Sequence, residues 1–209
     1  LAHAIPSLQR YKASLSSGDH IYLDLREHMC HGLFYDGGQP HEHGTEKLFR
    51  KVIKPGDVVI DIGANVGYYT RMASRLVGMH GAVLAFEPMP AAIRILQMNC
   101  ADLPNTKVYP LALTDREGEA TFYVRKHGDL SSLSSDSHAT KIMVRTSTAD
   151  SVLVDRARLD LIKIDVEGSE LEVLRGAHRI LSTHRPIVYF EYLQGFATGR
   201  GGRFQEFET

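Results

Sequence analysis

Residues 58–70 read VVIDIGANVGYYT, and few folds can accommodate such a stretch. Branched apolar residues run without alternation into an acid, then a glycine-bearing loop, then a helix-compatible segment. A continuous apolar run predicts a strand buried on both faces, which belongs to a parallel sheet whose next element is a crossover helix. The loop DIGANVG sets Asp61 at the strand end, Gly63, Ala64, Asn65 and Gly67 in the turn, and Thr70 in the first turn of the helix. Glycines let backbone approach a ligand closely, and the amides opening a helix favour a carboxylate or phosphate. Gly63 is expected where a Cβ would strike the strand–helix packing or the ligand.

The loop departs from a dinucleotide fingerprint. That motif reads G-x-G-x-x-G after an uncharged strand end, whereas Asn65 replaces the middle glycine and Asp61 places a carboxylate beside the loop. A carboxylate there repels a pyrophosphate and attracts an ammonium or a sulfonium. S-adenosylmethionine carries both, together with a carboxylate for the helix amides. Residues 81–86, GAVLAF, read as the next strand, ending in Glu87-Pro88. An acid at that strand end is placed to accept hydrogen bonds from both ribose hydroxyls. Glu87 therefore points to an adenosine and Asp61 to which kind.

The bulk of the chain narrows the class. Its 209 residues suit one α/β domain, a lead-in over 1–44 followed by a ligand-binding domain over 45–209. Lys plus Arg number 24 against 25 Asp plus Glu, a balance that does not favour a nucleic-acid partner. No apolar run reaches the ~18–20 residues of a membrane span, and no charged start with an apolar core marks a signal peptide. A cytoplasmic protein is expected, with Cys30 and Cys100 as reduced thiols. His41 and His43 flank Glu42, but no other ligand lies at metal spacing nearby, so no metal is assigned.

Along the chain, short strands are expected over 21–25 and 33–35, and a helix over 45–53. A helix over 68–77 follows the glycine loop, another spans 91–101, and a third core strand runs over 106–113. This rhythm means a parallel sheet with right-handed crossovers. Residues 120–125 and 141–146 then alternate in the β manner and read as an inserted β segment. The Ser- and Asp-rich stretch 127–140 between them is a loop tip or a lid. A fourth strand at 159–164, one helix over 167–181 and a fifth strand at 186–192 complete the sheet. The polar, glycine-rich tail leaves little room for a closing antiparallel pair, so a shortened C-terminal edge is expected.

A second acidic stretch, DLIKIDVEGSE at 160–170, closes the site. Side chains alternate along a strand, so Lys163 and Asp165 share a face opposite Ile162 and Ile164. A lysine in a central strand requires a partner. In an open doubly wound sheet the first strand neighbours the fourth and the fourth the fifth. Asp61, Asp165 and Glu191 then converge at the carboxyl ends, with Glu167 just beyond. Lys163 would keep a neighbouring carboxylate ionised, and Glu167 or Glu191 would accept a proton. The alternatives are a structural ion-pair network around Lys163, and a divalent metal held by Asp165 with one of these acids.

These motifs resemble the FkbM-type methyltransferases: VVIDIGANVGYYT, AFEP at 85–88, LIKIDVEGSELEVLRGA at 161–177 and PIVYFE at 186–191, together with Glu42 and KPGD at 54–57. The resemblance implies an α/β, Rossmann-like, doubly wound class I methyltransferase fold. It implies O-methylation of a hydroxyl on a sugar or secondary metabolite, with S-adenosylmethionine as cofactor. It carries Asp61, Gly63, Asn65, Gly67 and Glu87 to the cofactor site and Asp165 and Glu167 to the family's second acidic motif. With the strand reading above, the expected cofactor site is Glu42, Asp61, Gly63, Ala64, Asn65, Gly67, Thr70, Glu87, Pro88 and Asp165, and the expected catalytic group is Lys163, Asp165, Glu167 and Glu191. An NAD(P)-dependent oxidoreductase and a truncated, non-catalytic binding domain are the competing readings.

Overall fold

The computed structural model describes residues 6–15, 18–27, 30–36, 43–124 and 140–190. A 3-10 turn at Pro6–Arg10 leads into an antiparallel hairpin of β1 (Tyr11–Ser14) and β2 (His20–Leu23), then α1 (His31–Tyr35) and α2 (His43–Val52). Strand and helix then alternate through β3 (Val58–Ile62), α3 (Tyr68–Val77), β4 (Ala82–Phe86), α4 (Pro90–Cys100) and β5 (Thr106–Tyr109). A second sheet contains β6 (Ala112–Leu113), β7 (Gly118–Val124) and β8 (Thr140–Ser147). After α5 (Ala149–Val152) come β9 (Leu161–Ile164), α6 (Glu170–Arg175), α7 (His178–His184) and β10 (Ile187–Phe190).

The main sheet has the order β10-β9-β3-β4-β5, with every pair parallel. The first core strand thus sits centrally, and the order reverses around it. This is the α/β, Rossmann-like, doubly wound architecture, with β7 and β8 as its inserted β segment. Strand alternation sorts the core into two layers. Ile60, Ile62, Leu84, Phe86, Ile162 and Ile164 pack with Ala149, Leu153, Val173, Ala177 and Ile180 from α5, α6, α7 and their flanks. Val59, Val83 and Leu161 pack on the opposite face with Phe49 and Ile53, at α2 and just beyond it, and with Ala73 and Val77 of α3.

Three sequence expectations are corrected. Residues 33–35 lie in the short helix α1, not a strand; three apolar residues in a row carry no usable period. The strand expected over 106–113 breaks at Pro110, which lacks an amide for the ladder. The chain then leaves β5 and pairs β6 with β8 in the second sheet. The single helix expected over 167–181 is two helices. A Cβ on Gly176 would lie 2.0 Å from the carbonyl oxygen of Thr114. The Asp150 carboxylate, on α5, accepts the Arg179 and Ile180 amides at 2.8 and 2.9 Å and so caps α7 from another helix.

The N-terminal hairpin packs on α3 and α4. Ala13, Ile21 and Leu23 bury against Val66, Tyr68 and Ile95. The Asn99 side chain accepts the Tyr22 amide at 2.7 Å and donates to the Tyr22 and Val66 carbonyls. Arg71, 1% exposed, bonds Asp19 in the hairpin turn at 2.9 Å and Asp102 after α4 at 2.7 Å, and also donates to the Asn99 carbonyl. Cys30 and Cys100 are free and buried, and burial pushes both thiols up to about 12. The Ser-rich stretch over 127–139 and the expected shortened C-terminal edge over 191–209 lie outside the described residues.

Candidate active site

At the carboxyl end of the main sheet, the loops after β3, β4 and β9 surround one pocket. Gly63 and Asn65 line it from the first loop, Glu87, Pro88 and Met89 from the second, and Asp165, Val166, Glu167 and Ser169 from the third. Six of the residues singled out from sequence therefore meet here: Gly63, Asn65, Glu87, Pro88, Asp165 and Glu167. The opposite wall is apolar and comes from Leu111, Ala112, Leu113 and Phe122. That wall went unrecognised in the sequence. Its one trace was the inward alternation of Phe122 between Ala120 and Val124, which belongs to a different sheet.

The first loop is wound tightly. Gly63 has φ +76, and a Cβ there would lie 1.8 Å from the carbonyl oxygen of Asp165. The obstacle is backbone of the neighbouring strand end rather than the strand–helix packing. Gly67, at φ +92, caps α3, where a Cβ would meet Leu96 at 2.7 Å. Four of the loop amides are already engaged within the protein. Gly63 and Ala64 both donate to the Phe86 carbonyl at 3.0 Å, and Gly67 donates to Ala64 at 2.9 Å. The Asn65 amide donates to Glu87 Oε2 at 2.9 Å.

Glu87 is oriented from both sides, since its Oε1 also accepts the Met89 amide at 2.9 Å. A carboxylate has about four lone-pair positions, so two remain for a ligand. Burial raises its pKa, and the two amides and Lys163 offset this only in part, leaving it at about 7. The group holds its proton over most of the acidic range.

Asp61, Thr70 and Lys163 lie beneath the pocket. Register sets Asp61 beside Lys163 on adjacent strands. Lys163 Nζ is 3.3 Å from Asp61 Oδ1 and 3.1 Å from Asp165 Oδ2, and the Thr70 hydroxyl donates to Asp61 Oδ2 at 2.6 Å. Nζ also stands 5.4 Å over the Tyr69 ring. Burial disfavours the charge on Lys163, but the two carboxylates outweigh it and hold its pKa above the ordinary lysine value. Asp61, 2% exposed, is thus engaged by Thr70 and Lys163 and does not line the pocket, contrary to a ligand-facing role. Asp165, with 30% of its side chain exposed, carries the pair's charge to the pocket wall. Ala64, Gly67 and Thr70 likewise support the loop from behind. Glu42 and Glu191 lie outside the described residues.

Two pocket residues hold left-handed backbone without being glycine: Asn65 at φ 51 and Glu167 at φ 55. Asn tolerates this region, whereas Glu adopts it at a cost. The strain at Glu167 is held by Glu170, whose Oε1 accepts the amides of Val166 at 3.3 Å and Gly168 at 3.1 Å. Glu170 is a positioning residue that sequence reasoning missed. Among the described residues, no three His, Cys, Asp or Glu converge to hold a metal.

Residues 61–208 match the family model described as the methyltransferase FkbM domain. The chain belongs to that family. Among curated relatives, 2-O-methyltransferase NoeI of Sinorhizobium fredii is 28% identical over 169 residues, covering 70% of this chain and 69% of that protein. Hexuronic acid methyltransferase AglP of Haloferax volcanii is 29% identical over 152 residues, covering 70% and 61%. AMB antimetabolite synthetase AmbE of Pseudomonas aeruginosa is 28% identical over 167 residues, 60% of this chain and 8% of that protein. The chain thus spans only part of each relative's length. A solved FkbM methyltransferase from Methylobacillus flagellatus is 18% identical, with a TM-score of 0.48, over 69% of this chain and 39% of that one. Among the described residues, no helix is long and apolar enough to cross a membrane.

Proposed function

We propose that this FkbM-family chain is an S-adenosylmethionine-dependent O-methyltransferase acting on a hydroxyl of a sugar or related small molecule. One observation carries the reading: Gly63, Asn65, Glu87 and Asp165, from three strand ends of a doubly wound sheet, line a single pocket. The names of NoeI and AglP support the chemistry and the acceptor class.

The residues fit the cofactor. Glu87, fixed by the Asn65 and Met89 amides, retains lone pairs for two ribose hydroxyls. Met89, Leu111 and Phe122 give an apolar surface for a flat base. Asp165, held by Lys163, is the acid for a cationic centre. Bound S-adenosylmethionine supplies an electrophilic methyl group. The protein's own work is to align the acceptor hydroxyl and to take up its proton. Glu167, presented on a strained turn braced by Glu170, is the proposed proton acceptor. Asp61 and Asp165 together outweigh the charge of Lys163, so this end of the pocket favours a cation and disfavours a pyrophosphate, which counts against a nicotinamide dinucleotide.

Calorimetry tests the reading. S-adenosylmethionine should bind and NAD should not. Glu87→Ala should weaken S-adenosylmethionine binding by about 1.5–3 kcal/mol, the range for a hydrogen bond to a charged group. Binding of NAD alone, or an unchanged affinity in Glu87→Ala, would overturn it.

A further inference from the structure

Behind Ser169 lies a second cleft that the pocket above does not use. It runs along β7, the edge strand of the three-stranded sheet, and is closed on its far side by Gly168, Ser169 and Glu172. Ser169 lines both cavities, so they adjoin at that residue. Two buried polar atoms in the cleft lack a hydrogen-bond partner: the hydroxyl of Thr146, a residue 5% exposed, and Oε2 of Glu172. They reach it from different elements, Thr146 on β8 and Glu172 on α6. A buried polar atom left unpaired is disfavoured and uncommon in native proteins. Two such atoms in one cleft, next to the proposed reaction pocket, mark a surface that a polar ligand completes.

The chemistry of the pair defines that ligand. Glu172 Oε2 needs a donor, and the Thr146 hydroxyl can donate or accept. A ring with three or more hydroxyls meets both demands and still presents one for methylation; an acceptor with only one or two hydroxyls cannot do all three. The charge is also selective. Glu119 and Glu172 both line the cleft, and its cation, Arg116, is held by Asp115 at 3.0 Å. Carboxylates at the wall disfavour an anionic ring.

We propose that this cleft is the acceptor subsite and that it takes a neutral polyhydroxylated ring, one hydroxyl of which reaches past Ser169 into the reaction pocket. The proposal rests on the methyltransferase reading for its role, but not for the binding itself. Saturation-transfer NMR on the full chain, with and without S-adenosylmethionine, would use methyl glycosides of glucose, galactose, mannose, fucose and rhamnose. Methyl glucuronoside and catechol serve as contrasts. At least one neutral glycoside should bind, more tightly than the glucuronoside or catechol. Thr146→Val and Glu172→Gln should each weaken it about tenfold, with S-adenosylmethionine affinity unchanged and the melting temperature not lowered. The proposal is overturned if no neutral glycoside binds the wild-type chain, if the glucuronoside or catechol binds more tightly, or if folded variants bind as the parent does. Glycoside binding sensitive to both variants in a chain that ignores S-adenosylmethionine would sustain the subsite and sink the methyltransferase reading. The reverse result would do the opposite.

Discussion

Arg71 and Lys163 are both buried cations set between two carboxylates, and both join segments distant in sequence. Their surroundings differ. Arg71 offers a planar fork whose donors are taken by Asp19, Asp102 and the Asn99 carbonyl. None of these residues lines a pocket described above. The network ties the N-terminal hairpin to α3 and α4. Lys163 is a point charge with Asp61 below and Asp165 at the pocket wall. One of its carboxylates is sealed at 2% exposure, while the side chain of the other is 30% exposed. The difference is not exposure, since the Asp102 side chain is 51% exposed, but what the exposed carboxylate faces: Asp102 meets solvent and the network acts on the fold, whereas Asp165 meets the pocket and its charge acts on whatever enters.

The largest effect that could break this comparison is on stability. Arg71→Met leaves Asp19 to Arg75 and the His20 amide, strips Asp102 and the buried Asn99 carbonyl of their donor, and should cost about 3–5 kcal/mol, the range for breaking a buried pair. Urea unfolding reads this, and a loss below about 1 kcal/mol would mean that the network is only decoration. S-adenosylmethionine affinity in the folded fraction should not change.

Lys163→Met should cost less, about 2–4 kcal/mol, because Asp165 can rehydrate while Asp61 keeps Thr70. Adding Asp61→Asn removes the stranded charge and should recover about half of that loss. Cofactor binding should stay impaired in the double variant, since Asp165 still lacks its cation. Full recovery of binding in Lys163→Met/Asp61→Asn would reduce Lys163 to a structural role.

The last expected effect is a pH signature, and it separates the two regions. Asp19 is held down to about 2: burial raises it, but the hydrogen bonds from Arg71, the His20 amide and Arg75 prevail. Its folded value lies below the ordinary 3.8, so its stabilisation is present above that value and is lost as pH falls through about 2. Glu87 has the opposite sign. Its folded value of about 7 lies above the ordinary 4.5, so the native state holds the extra proton between them and stability declines as pH rises across that window. Thermal unfolding from pH 4 to 8 should show that decline in the wild type and not in Glu87→Gln. A slope that persists in Glu87→Gln assigns the titration to another group.

Much of the site was legible because its residues sit on motif loops. A strand end followed by a glycine loop fixes where Gly63 and Asn65 stand, and a second strand ending in an acid does the same for Glu87. The alternation of IKID put Lys163 and Asp165 on one face, and the inter-strand register made Asp61 their neighbour. What these patterns did not reveal was direction. Asp61 reads as a ligand-facing acid until Thr70 and Lys163 are seen to occupy it. The amides of Gly63, Ala64 and Asn65 read as free until the Phe86 carbonyl and Glu87 are seen to take them. Hydrogen-bond partners from other elements have no local trace.

By itself the sequence determined the alternation of strand and helix, the buried character of the parallel strands and the turn chemistry at Gly63 and Gly67. Those follow from side-chain period and from backbone freedom, which are local properties. Tertiary structure alone decided where the third strand ends in the main sheet, since past Pro110 the chain finds its partner in β8, and where the helix after β9 divides. That division depends on the Thr114 carbonyl against Gly176 and on the Asp150 carboxylate at the start of α7. It likewise decided that Phe122, Thr146 and Glu172 would stand around the site, because only packing brings an inserted sheet to the carboxyl ends of another.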